Sequence, residues 1–517
     1  MAVKKKLLLV NTFVSYFRTI VNVCVTLFTT RWVMAELGVQ DYGLYFLAGG
    51  AIAFVAFFNT ALLAGSYRFI AHAVDRSDQE VSQWFSTSFY IHLLAVGLIL
   101  IASYPLYIIC FNWVFEIPKD RFFACSLVYW VSVLMTSFSV INVPFAAMYT
   151  AYQRIFEVTL LNLLNTFLVF ALAYGLRFIA LDKLIVYAVG YAGIHALVYV
   201  IQILRCLFAF KTARLIKRDS IPQGSFKKLV SFSWWSFLDS LAFMLRNYGV
   251  QVIFNRSANV NLNAAYSVSQ QLATQSHVLS GALTSAMSPG IISQFGVGDK
   301  KGACEWGLRT CKIATILSML VVVPLFFECE TVLKLWLGNV PDWTVCFTRV
   351  MVVMCLITQW VTGLKTIINA NGEIRRYQIL TFCSYLIGLM YAVVVYILGL
   401  HVAMAIYGVL LSTILYALAT LTESKRMSLV AMRTWVLGVF VPSLMVLMLA
   451  ILVGVSLGSF IEMSCLRIVL TTICVDLTIL ISMWFVMLQA GERGGIVSLI
   501  ARKLNISPFK KINKLTK

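Results

Sequence analysis

The stretch KKKLLLVNTFVSYFRTIVNVCVTLFTTRWV, residues 4–33, decides the class of fold. Three lysines precede a long apolar run in which Arg18 is the only charged residue before Arg31. About 20 apolar residues are enough to cross a bilayer as a helix. Because the run reaches Trp32 without the small-residue site at which a signal peptide is cleaved, it predicts a retained membrane span.

The composition of the whole chain agrees with this stretch. Of 517 residues, 61% are hydrophobic and 12% are charged, whereas soluble domains average about 45–50% apolar and about 25% charged residues. This excludes a soluble globular protein. A window of about 19 residues predicts an all-α polytopic membrane protein with about 14 transmembrane helices. The predicted spans are 8–34, 43–67, 86–115, 122–149, 156–180, 184–209, 229–256, 263–291, 310–336, 345–369, 377–399, 402–422, 434–457 and 465–489.

The distribution of basic residues predicts the orientation. The chain has 41 Lys and Arg against 21 Asp and Glu, a net charge of +20. If Lys4–Lys6 are cytoplasmic, 28 of the 41 lie on that side and 8 on the other. Cytoplasmic loops carry such an excess, so both termini are expected in the cytoplasm. The positive charge therefore predicts no nucleic-acid partner, and the basic inner face suits anionic membrane lipids.

An internal repeat predicts the domain organisation. A shift of 221 residues places Tyr45 on Tyr266 and Asp78 on Asp299, and it aligns span one with span seven. Two similar halves of six helices in the same orientation are typical of transporters with a substrate site between the halves. The predicted domains are an N-terminal six-helix lobe (1–217), a C-terminal six-helix lobe (218–426), two additional transmembrane helices (427–490) and a basic cytoplasmic tail (491–517).

Polar residues in span one follow one face of a helix. They are Asn11, Ser15, Arg18, Asn22, Thr26 and Thr29, spaced three or four residues apart. Ser and Thr alone could serve helix packing, but a charge at membrane depth is costly and faces a bundle interior or a cavity. Arg18 is therefore either a cation of the cavity wall or half of an ion pair that holds helices together.

Span seven contains two deep charges, Asp239 and Arg246. Asp239 occupies the repeat position of Arg18 under the shift of 221 residues, so it is either a structural partner of Arg18, a coupling and gating carboxylate, or both. Arg246 lies in the second half at a depth comparable with that of Arg18. A guanidinium suits phosphate oxygens, which makes both arginines candidates for binding an anionic headgroup.

Span eight has a second, uncharged polar face. Its members are Tyr266, Gln270, Thr274, His277, Gly281, Thr284 and Ser288. Gln270 and Thr274 are candidate partners of sugar hydroxyls, as is Asn22 of span one. His277 is either a packing residue or a proton carrier. Lys365 and Arg31, near span ends, are weaker candidates for the substrate path, because such side chains also anchor at the membrane surface.

Some chemistry is absent from the sequence. No phosphate-binding G-x-x-x-x-G-K-[ST] motif, H-E-x-x-H motif or G-x-S-x-G motif occurs. Transport driven by an ATPase domain of this chain is excluded, no cofactor or metal is expected, and the protein is not expected to be an enzyme.

Residues 31–45, RWVMAELGVQDYGLY, carry a family resemblance. They resemble the R-x(5)-LG-x(3)-YG-[LI]-[YF] pattern of Wzx-type bacterial polysaccharide transporters, which are lipid-linked oligosaccharide flippases. These share a superfamily with the MATE multidrug exporters and the lipid II flippase. The resemblance implies two lobes, alternating access and a cationic central cavity for the pyrophosphate and sugars of a polyprenyl carrier.

The functional hypothesis is a flippase in the bacterial cytoplasmic (inner) membrane. Its substrate would be a polyprenyl-pyrophosphate-linked oligosaccharide, a repeat unit of O-antigen, capsule or exopolysaccharide, with H+ or Na+ as candidate coupling ions. It is expected to work as a monomer, with the polysaccharide polymerisation machinery as a candidate partner. The alternatives are a cation-coupled MATE-type drug exporter, which Asp239 would suit, and a membrane-embedded glycan polymerase or ligase.

Overall fold

The computed structural model describes residues 2–56, 66, 69–70, 73–74, 76–152, 154–216, 224–257, 260–296, 298–427, 429–460, 464–487 and 493. Regular structure within these ranges is helical, without a strand. The helices are α1 Ala2–Ala56, α2 Asp78–Ile109, α3 Phe122–Ala151, α4 Ile155–Gly175, α5 Lys183–Ala209, α6 Ser225–Arg256, α7 Val260–Ser276, α8 Val278–Gly296, α9 Lys300–Leu337, α10 Thr344–Asn371, α11 Arg375–Ile397, α12 Ala405–Arg426, α13 Met432–Trp435, α14 Val441–Phe460 and α15 Cys465–Ser482.

Ten helices of the described part are long and apolar enough to cross a membrane. They coincide with ten of the predicted spans, and α1, α6, α7 and α8 occupy most of the other four. The predicted class, an all-α multi-pass membrane protein, is confirmed.

Gly38 separates the first two predicted spans within α1. Its φ of 79° and ψ of 166° are non-helical, and glycine adopts a positive φ without the steric penalty of a side chain. The chain therefore bends at the point where the sequence predicts a loop. This backbone requirement explains the first glycine of the LGVQDYG stretch, Gly38.

The prediction of one helix over residues 263–291 is wrong. The chain forms two helices, α7 and α8, and His277 lies between them. The backbone N–H of His277 donates to Thr274 O at 3.2 Å, which is the tighter i to i+3 connection of a 3₁₀ turn. The polar stripe keeps its helical spacing through the break, so the pattern does not reveal it.

Packing divides the chain into two compact units. The first contains residues 1–278, 333–354 and 371–420, and the second contains 279–332, 355–370 and 421–517. In the first unit α1 packs against α3, α4 and α7, and α6 packs against α11. The six-helix lobes at 1–217 and 218–426 stay a prediction.

A buried ion pair joins α9 and α15 in the second unit. Arg467 Nε and Nη2 donate to the Glu328 carboxylate at 3.0 and 2.9 Å, and Thr471 Oγ1 donates to Glu328 Oε1 at 3.0 Å. Both charged side chains are at most 8% exposed. One of the two additional C-terminal helices is thus fixed to α9 by a paired and hydrogen-bonded charge.

Candidate functional site

The first unit contains a polar cavity of about 580 Å³, walled by α1, α4, α5, α6 and α7. We call it the polar cavity. Its polar and aromatic lining consists of Asn22, Thr26, Thr29, Thr30, Tyr42, Phe46, Asn165, Thr166, Tyr187, Tyr191, His195, Tyr248, Gln251, Ser267, Gln270, Gln271, Thr274 and Gln275. Apart from Val25, Val33 and Val169, the described wall is made of hydrogen-bonding or aromatic groups.

No Asp, Glu, Lys or Arg is found among the described residues that line the polar cavity. The wall instead offers amide and hydroxyl groups, which can both donate and accept hydrogen bonds. It also presents four tyrosine side chains. A neutral wall of this kind matches the alternating donors and acceptors of sugar hydroxyls, and it lacks the carboxylate that would favour an organic cation.

Three predicted sugar-binding residues, Asn22, Gln270 and Thr274, line the polar cavity. Asn22 Oδ1 accepts a hydrogen bond from Thr166 Oγ1 at 3.0 Å, which joins α1 to α4. Thr274 Oγ1 donates to Gln270 O at 2.8 Å within α7. The structure therefore brings the polar faces of the first and eighth predicted spans to one space.

Side-chain hydrogen bonds also join α1 directly to α7. Gln271 Nε2 donates to Thr30 Oγ1, and Tyr42 OH donates to Gln271 Oε1 at 3.5 Å. Gln271 precedes the break at His277 by less than two turns. These contacts make α7 part of the cavity wall on the side of α1.

The wall formed by α4 and α5 was missed by the sequence analysis. His195 Nδ1 lies 2.9 Å from Tyr191 O, and a carbonyl only accepts, so Nδ1 carries a proton. In the neutral imidazole Nε2 then accepts from Asn165 Nδ2 at 3.1 Å. Tyr187, Tyr191 and His195 are spaced four residues apart, a helical stripe that could have indicated this wall.

Arg246 does not line the polar cavity. It is 4% exposed, its Nε and Nη2 donate to Asn247 Oδ1 at 3.2 and 3.0 Å, and Nη1 donates to Ser412 Oγ of α12 at 2.8 Å. Its guanidinium also lies 4.9 Å from the ring centres of Phe243 and Tyr385. Amide, hydroxyl and aromatic groups thus surround this cation, and its contact with substrate phosphates stays a prediction.

We expect Arg246→Lys to lower the melting temperature of the purified protein. An ammonium keeps the charge but lacks the planar fork, so it cannot bond Asn247 and Ser412 in the same way, and each charged hydrogen bond lost is worth about 1.5–3 kcal/mol. A thermal unfolding assay in detergent measures the change, with the exposed Arg433→Lys as the matched control. An unchanged melting temperature with lost transport would instead place Arg246 on the substrate path.

The remaining predicted site residues have different positions. The side chains of Arg18 and Asp239 lie outside the described part of the structure, so their predicted pairing stays open. Arg31 Nη1 donates to Leu335 O at 3.1 Å, and Arg31 does not line the polar cavity. Lys365 lies in the second unit, at the last third of α10. His277 is the junction between α7 and α8.

An ionic cluster lies near the bend in α1, between the first two predicted spans. Arg121 donates to Asp41 Oδ2 at 2.5 Å and to Asp182 Oδ2 at 2.7 Å, and Lys183 Nζ donates to Glu36 Oε2 at 2.7 Å. Burial raises the pKa of the Asp41 carboxyl, although the Arg121 charge acts in the opposite direction. The cluster ties α1 to the starts of α3 and α5.

Hydrogen bonds within the first unit also link residues of the two sequence halves. Asn255 Oδ1 accepts from the Glu116 N–H at 2.7 Å, and Asn255 Nδ2 donates to Glu116 O at 2.9 Å. Arg256 Nε donates to Val114 O at 2.9 Å, and Trp336 Nε1 donates to Leu27 O at 2.6 Å. With the bond from Arg31 to Leu335, these contacts join α1 and the segment after α2 to α9 and α6 within the first unit.

The chain belongs to the polysaccharide biosynthesis protein family, whose model matches residues 33–348. The match covers more than half of the chain and includes the bend at Gly38 and the part of the polar cavity wall that follows residue 32. It confirms the family resemblance drawn from residues 31–45. No curated protein gives a significant match to the sequence.

Several solved membrane transporters have a similar fold. The lipid II flippase MurJ in an inward closed conformation is 12% identical, with a TM-score of 0.67 over 96% of this chain and 100% of that chain. An inward-facing multidrug resistance MATE family transporter of the MOP superfamily is 16% identical, with a TM-score of 0.65 over 79% and 94%. A MOP superfamily transporter from Pyrococcus furiosus is 15% identical, with a TM-score of 0.63 over 81% and 95%. At these identities the likeness establishes a shared fold.

Proposed function

We propose that the protein is a flippase that moves a polyprenyl-pyrophosphate-linked oligosaccharide from the inner to the outer leaflet of a bacterial cytoplasmic membrane. The glycan would be a repeat unit of O-antigen, capsule or exopolysaccharide. Transport would follow alternating access between the two predicted lobes, with both termini in the cytoplasm and no covalent chemistry on the glycan. The family match and the shared transporter fold support this class of function.

The polar cavity is the observation that carries the proposal. Its volume of about 580 Å³ can hold a small oligosaccharide headgroup, and its described wall is neutral and rich in amides, hydroxyls and tyrosines. Asn22, Gln270 and Thr274 would hydrogen-bond the sugars. A drug exporter for organic cations would instead favour a carboxylate on this wall, and the described lining has none.

The pyrophosphate needs a cation close to the sugars. Arg18 precedes Asn22 by four residues on α1, so the two positions share a helix face one turn apart. We assign Arg18 to the phosphates on this ground, with Arg31 and Lys365 as weaker candidates. Arg246 would reach the phosphates only if its contacts with Asn247 and Ser412 opened during transport. Asp239 and His277 are the proposed coupling and gating residues, through which H+ or Na+ could drive the cycle.

A liposome assay tests the proposed function. The purified protein is reconstituted in vesicles that carry a fluorescent polyprenyl-pyrophosphate disaccharide, and a membrane-impermeant quencher reports the leaflet in which the headgroup lies. Transfer of the headgroup between leaflets supports a flippase. No transfer, together with Asp239-dependent export of cationic dyes, would place the protein among drug exporters.

We expect Gln270→Ala to weaken binding of the disaccharide probe about two- to twelvefold, because one neutral hydrogen bond contributes about 0.5–1.5 kcal/mol. Gln270 is partly exposed on the cavity wall. Probe concentration at half-maximal transport measures the effect. Gln294→Ala is the matched control, since Gln294 is also partly exposed but does not line the polar cavity. Equal behaviour of the two variants would remove Gln270 from the binding site.

A further inference from the structure

Threonine hydroxyl groups in the wall of the polar cavity already use their protons inside the protein. Thr29, Thr30, Thr166 and Thr274 each donate to a protein oxygen at 2.8–3.0 Å. A hydroxyl group has one proton to donate and two lone pairs that accept. Because these side chains line the cavity, they offer a ligand lone pairs, which accept hydrogen bonds from it.

His195 fixes the orientation of the Asn165 amide on the same wall. Nδ1 of His195 donates to Tyr191 O, so Nε2 of the neutral ring accepts, and the Asn165 group 3.1 Å from Nε2 is the Nδ2 amino group. Asn165 Oδ1 is the atom that remains, and it is buried without a hydrogen-bond partner among the described residues. Buried polar atoms of native proteins nearly always have a partner. Only an O–H or N–H donor can satisfy this oxygen.

Two more wall residues have unsatisfied polar atoms. Gln251 is 4% exposed and Ser267 is 5% exposed, and Gln251 Oε1 and Ser267 Oγ are buried without a hydrogen-bond partner within the described ranges. They belong to α6 and α7, whereas Asn165 belongs to α4. The unsatisfied atoms therefore lie on different helices around one space. A ligand with several O–H groups on one rigid ring, as a sugar has, can reach more than one of them.

Aromatic rings form a row along the α5 side of the cavity. The ring centres of Tyr187 and Tyr191 are 5.8 Å apart, and those of Tyr191 and His195 are 4.2 Å apart. The face of an aromatic ring carries partial negative charge. Such a row suits the C–H groups of a neutral sugar ring, and it repels a carboxylate that approaches the ring faces.

We infer that the glycan carried in the polar cavity consists of hydroxyl-bearing sugars without a carboxylate, which excludes uronic acids. This inference rests on the proposed function and names the substrate class of its site. An ionised carboxylate would leave water for a wall whose described residues include no Lys or Arg. It would also meet the unsatisfied acceptors Asn165 Oδ1 and Gln251 Oε1. Burying an unpaired charge is far more costly than burying a hydroxyl group that donates to such an acceptor.

The pyrophosphate is subject to the same constraint as a carboxylate. Its oxygens accept hydrogen bonds, so they would leave Asn165 Oδ1 and Gln251 Oε1 unsatisfied. The phosphates therefore belong away from these two residues. This agrees with their assignment to Arg18, which precedes the wall residue Asn22 by one helical turn.

Three probes that differ only at carbon 6 of one sugar test this inference. Each is a fluorescent polyprenyl-pyrophosphate disaccharide whose outer sugar is glucose, glucuronamide or glucuronic acid. The amide and the acid have the same number of heavy atoms, so they differ in charge and hardly in size. The liposome quenching assay measures transfer of each probe by the full-length wild-type protein. We expect similar rates for glucose and glucuronamide and a rate at least about tenfold lower for glucuronic acid, because its charge is buried unpaired.

Gln270→Lys tests the contribution of the cavity wall. A lysine at this partly exposed position adds a cation to the wall, and a hydrogen bond between charged groups is stronger than a neutral one. We expect the ratio of acid to amide transfer to rise at least about threefold over that of the wild-type protein. Gln294→Lys adds the same charge outside the described lining and should leave the ratio unchanged. The ratio compares two probes in one preparation, so it does not depend on the amount of folded protein.

The outcomes separate this inference from the proposed function. Transfer of the glucuronic acid probe as fast as the amide would overturn the inference and leave the flippase standing. Slow transfer of both the amide and the acid, with normal transfer of the glucose probe, would show selection by size and also overturn it. No transfer of any probe would overturn the proposed function and this inference with it. The comparison of probes in the wild-type protein decides the matter even if a lysine variant fails to fold.

Discussion

Arg18→Ala is expected to reduce translocation of the disaccharide headgroup to the background rate of protein-free vesicles. Hydrogen bonds to charged groups contribute about 1.5–3 kcal/mol each, so losing the cation at this position should cost at least about tenfold in rate. Position 18 lies one turn from Asn22, which lines the polar cavity. The described lining contains no Lys or Arg that could replace it there.

Two further variants make this result interpretable. Arg18→Lys should retain part of the activity, because an ammonium keeps the positive charge but loses the bidentate contact with phosphate oxygens. Arg433→Ala removes an exposed arginine of α13 and should transport normally. The quenching assay in liposomes measures all three proteins. Full activity in both Arg18 variants would remove Arg18 from the mechanism and leave it a packing residue.

Arg467→Ala is expected to destabilise the protein by about 3–5 kcal/mol, since removing one partner of a buried pair leaves an uncompensated charge. The Glu328 carboxylate is 2% exposed and receives its charged hydrogen bonds from Arg467. Thr471 would remain as a single neutral donor. The melting temperature in detergent should therefore fall steeply.

A double variant separates the cost of an unpaired charge from the value of the pair. Arg467→Met combined with Glu328→Leu should recover most of the lost stability, because well-packed apolar residues often replace a buried ion pair without net cost. Arg76→Ala is the control, since the pair of Arg76 with Glu80 is 3.7 Å long and its arginine is 69% exposed. If Arg467→Ala had the same melting temperature as Arg76→Ala, the ion pair would not hold α15 to α9.

The class of fold and part of the cavity follow from local patterns. Apolar runs long enough to span a bilayer predicted the ten helices that meet this criterion, and polar residues at helical spacing placed Asn22, Gln270 and Thr274 on faces turned away from lipid. Both inferences use only residues that lie within one helix. The break at His277 was not predicted, because the polar stripe of residues 266–288 continues through it at the same spacing.

The partners of charged and polar groups could not be predicted in this way. Arg246 has the same sequence features as a cation of a binding cavity, yet it lies buried against Asn247, Ser412 and Tyr385. Glu328 and Arg467 occur near the ends of their predicted spans, where an aqueous loop would be the ordinary environment. Their pairing joins residues 139 positions apart, a contact that no periodicity in the sequence encodes.

The sequence by itself determined that this protein is a helical membrane protein, which face of each polar span avoids lipid, and its polysaccharide-transporter family. These properties follow from hydropathy and helical spacing, which act within about 20 residues. Only the tertiary structure decided that α4 and α5 complete the polar cavity and that Arg246 is enclosed by packing. Such properties depend on which helices are neighbours, and that is set by side-chain packing between segments distant in the chain.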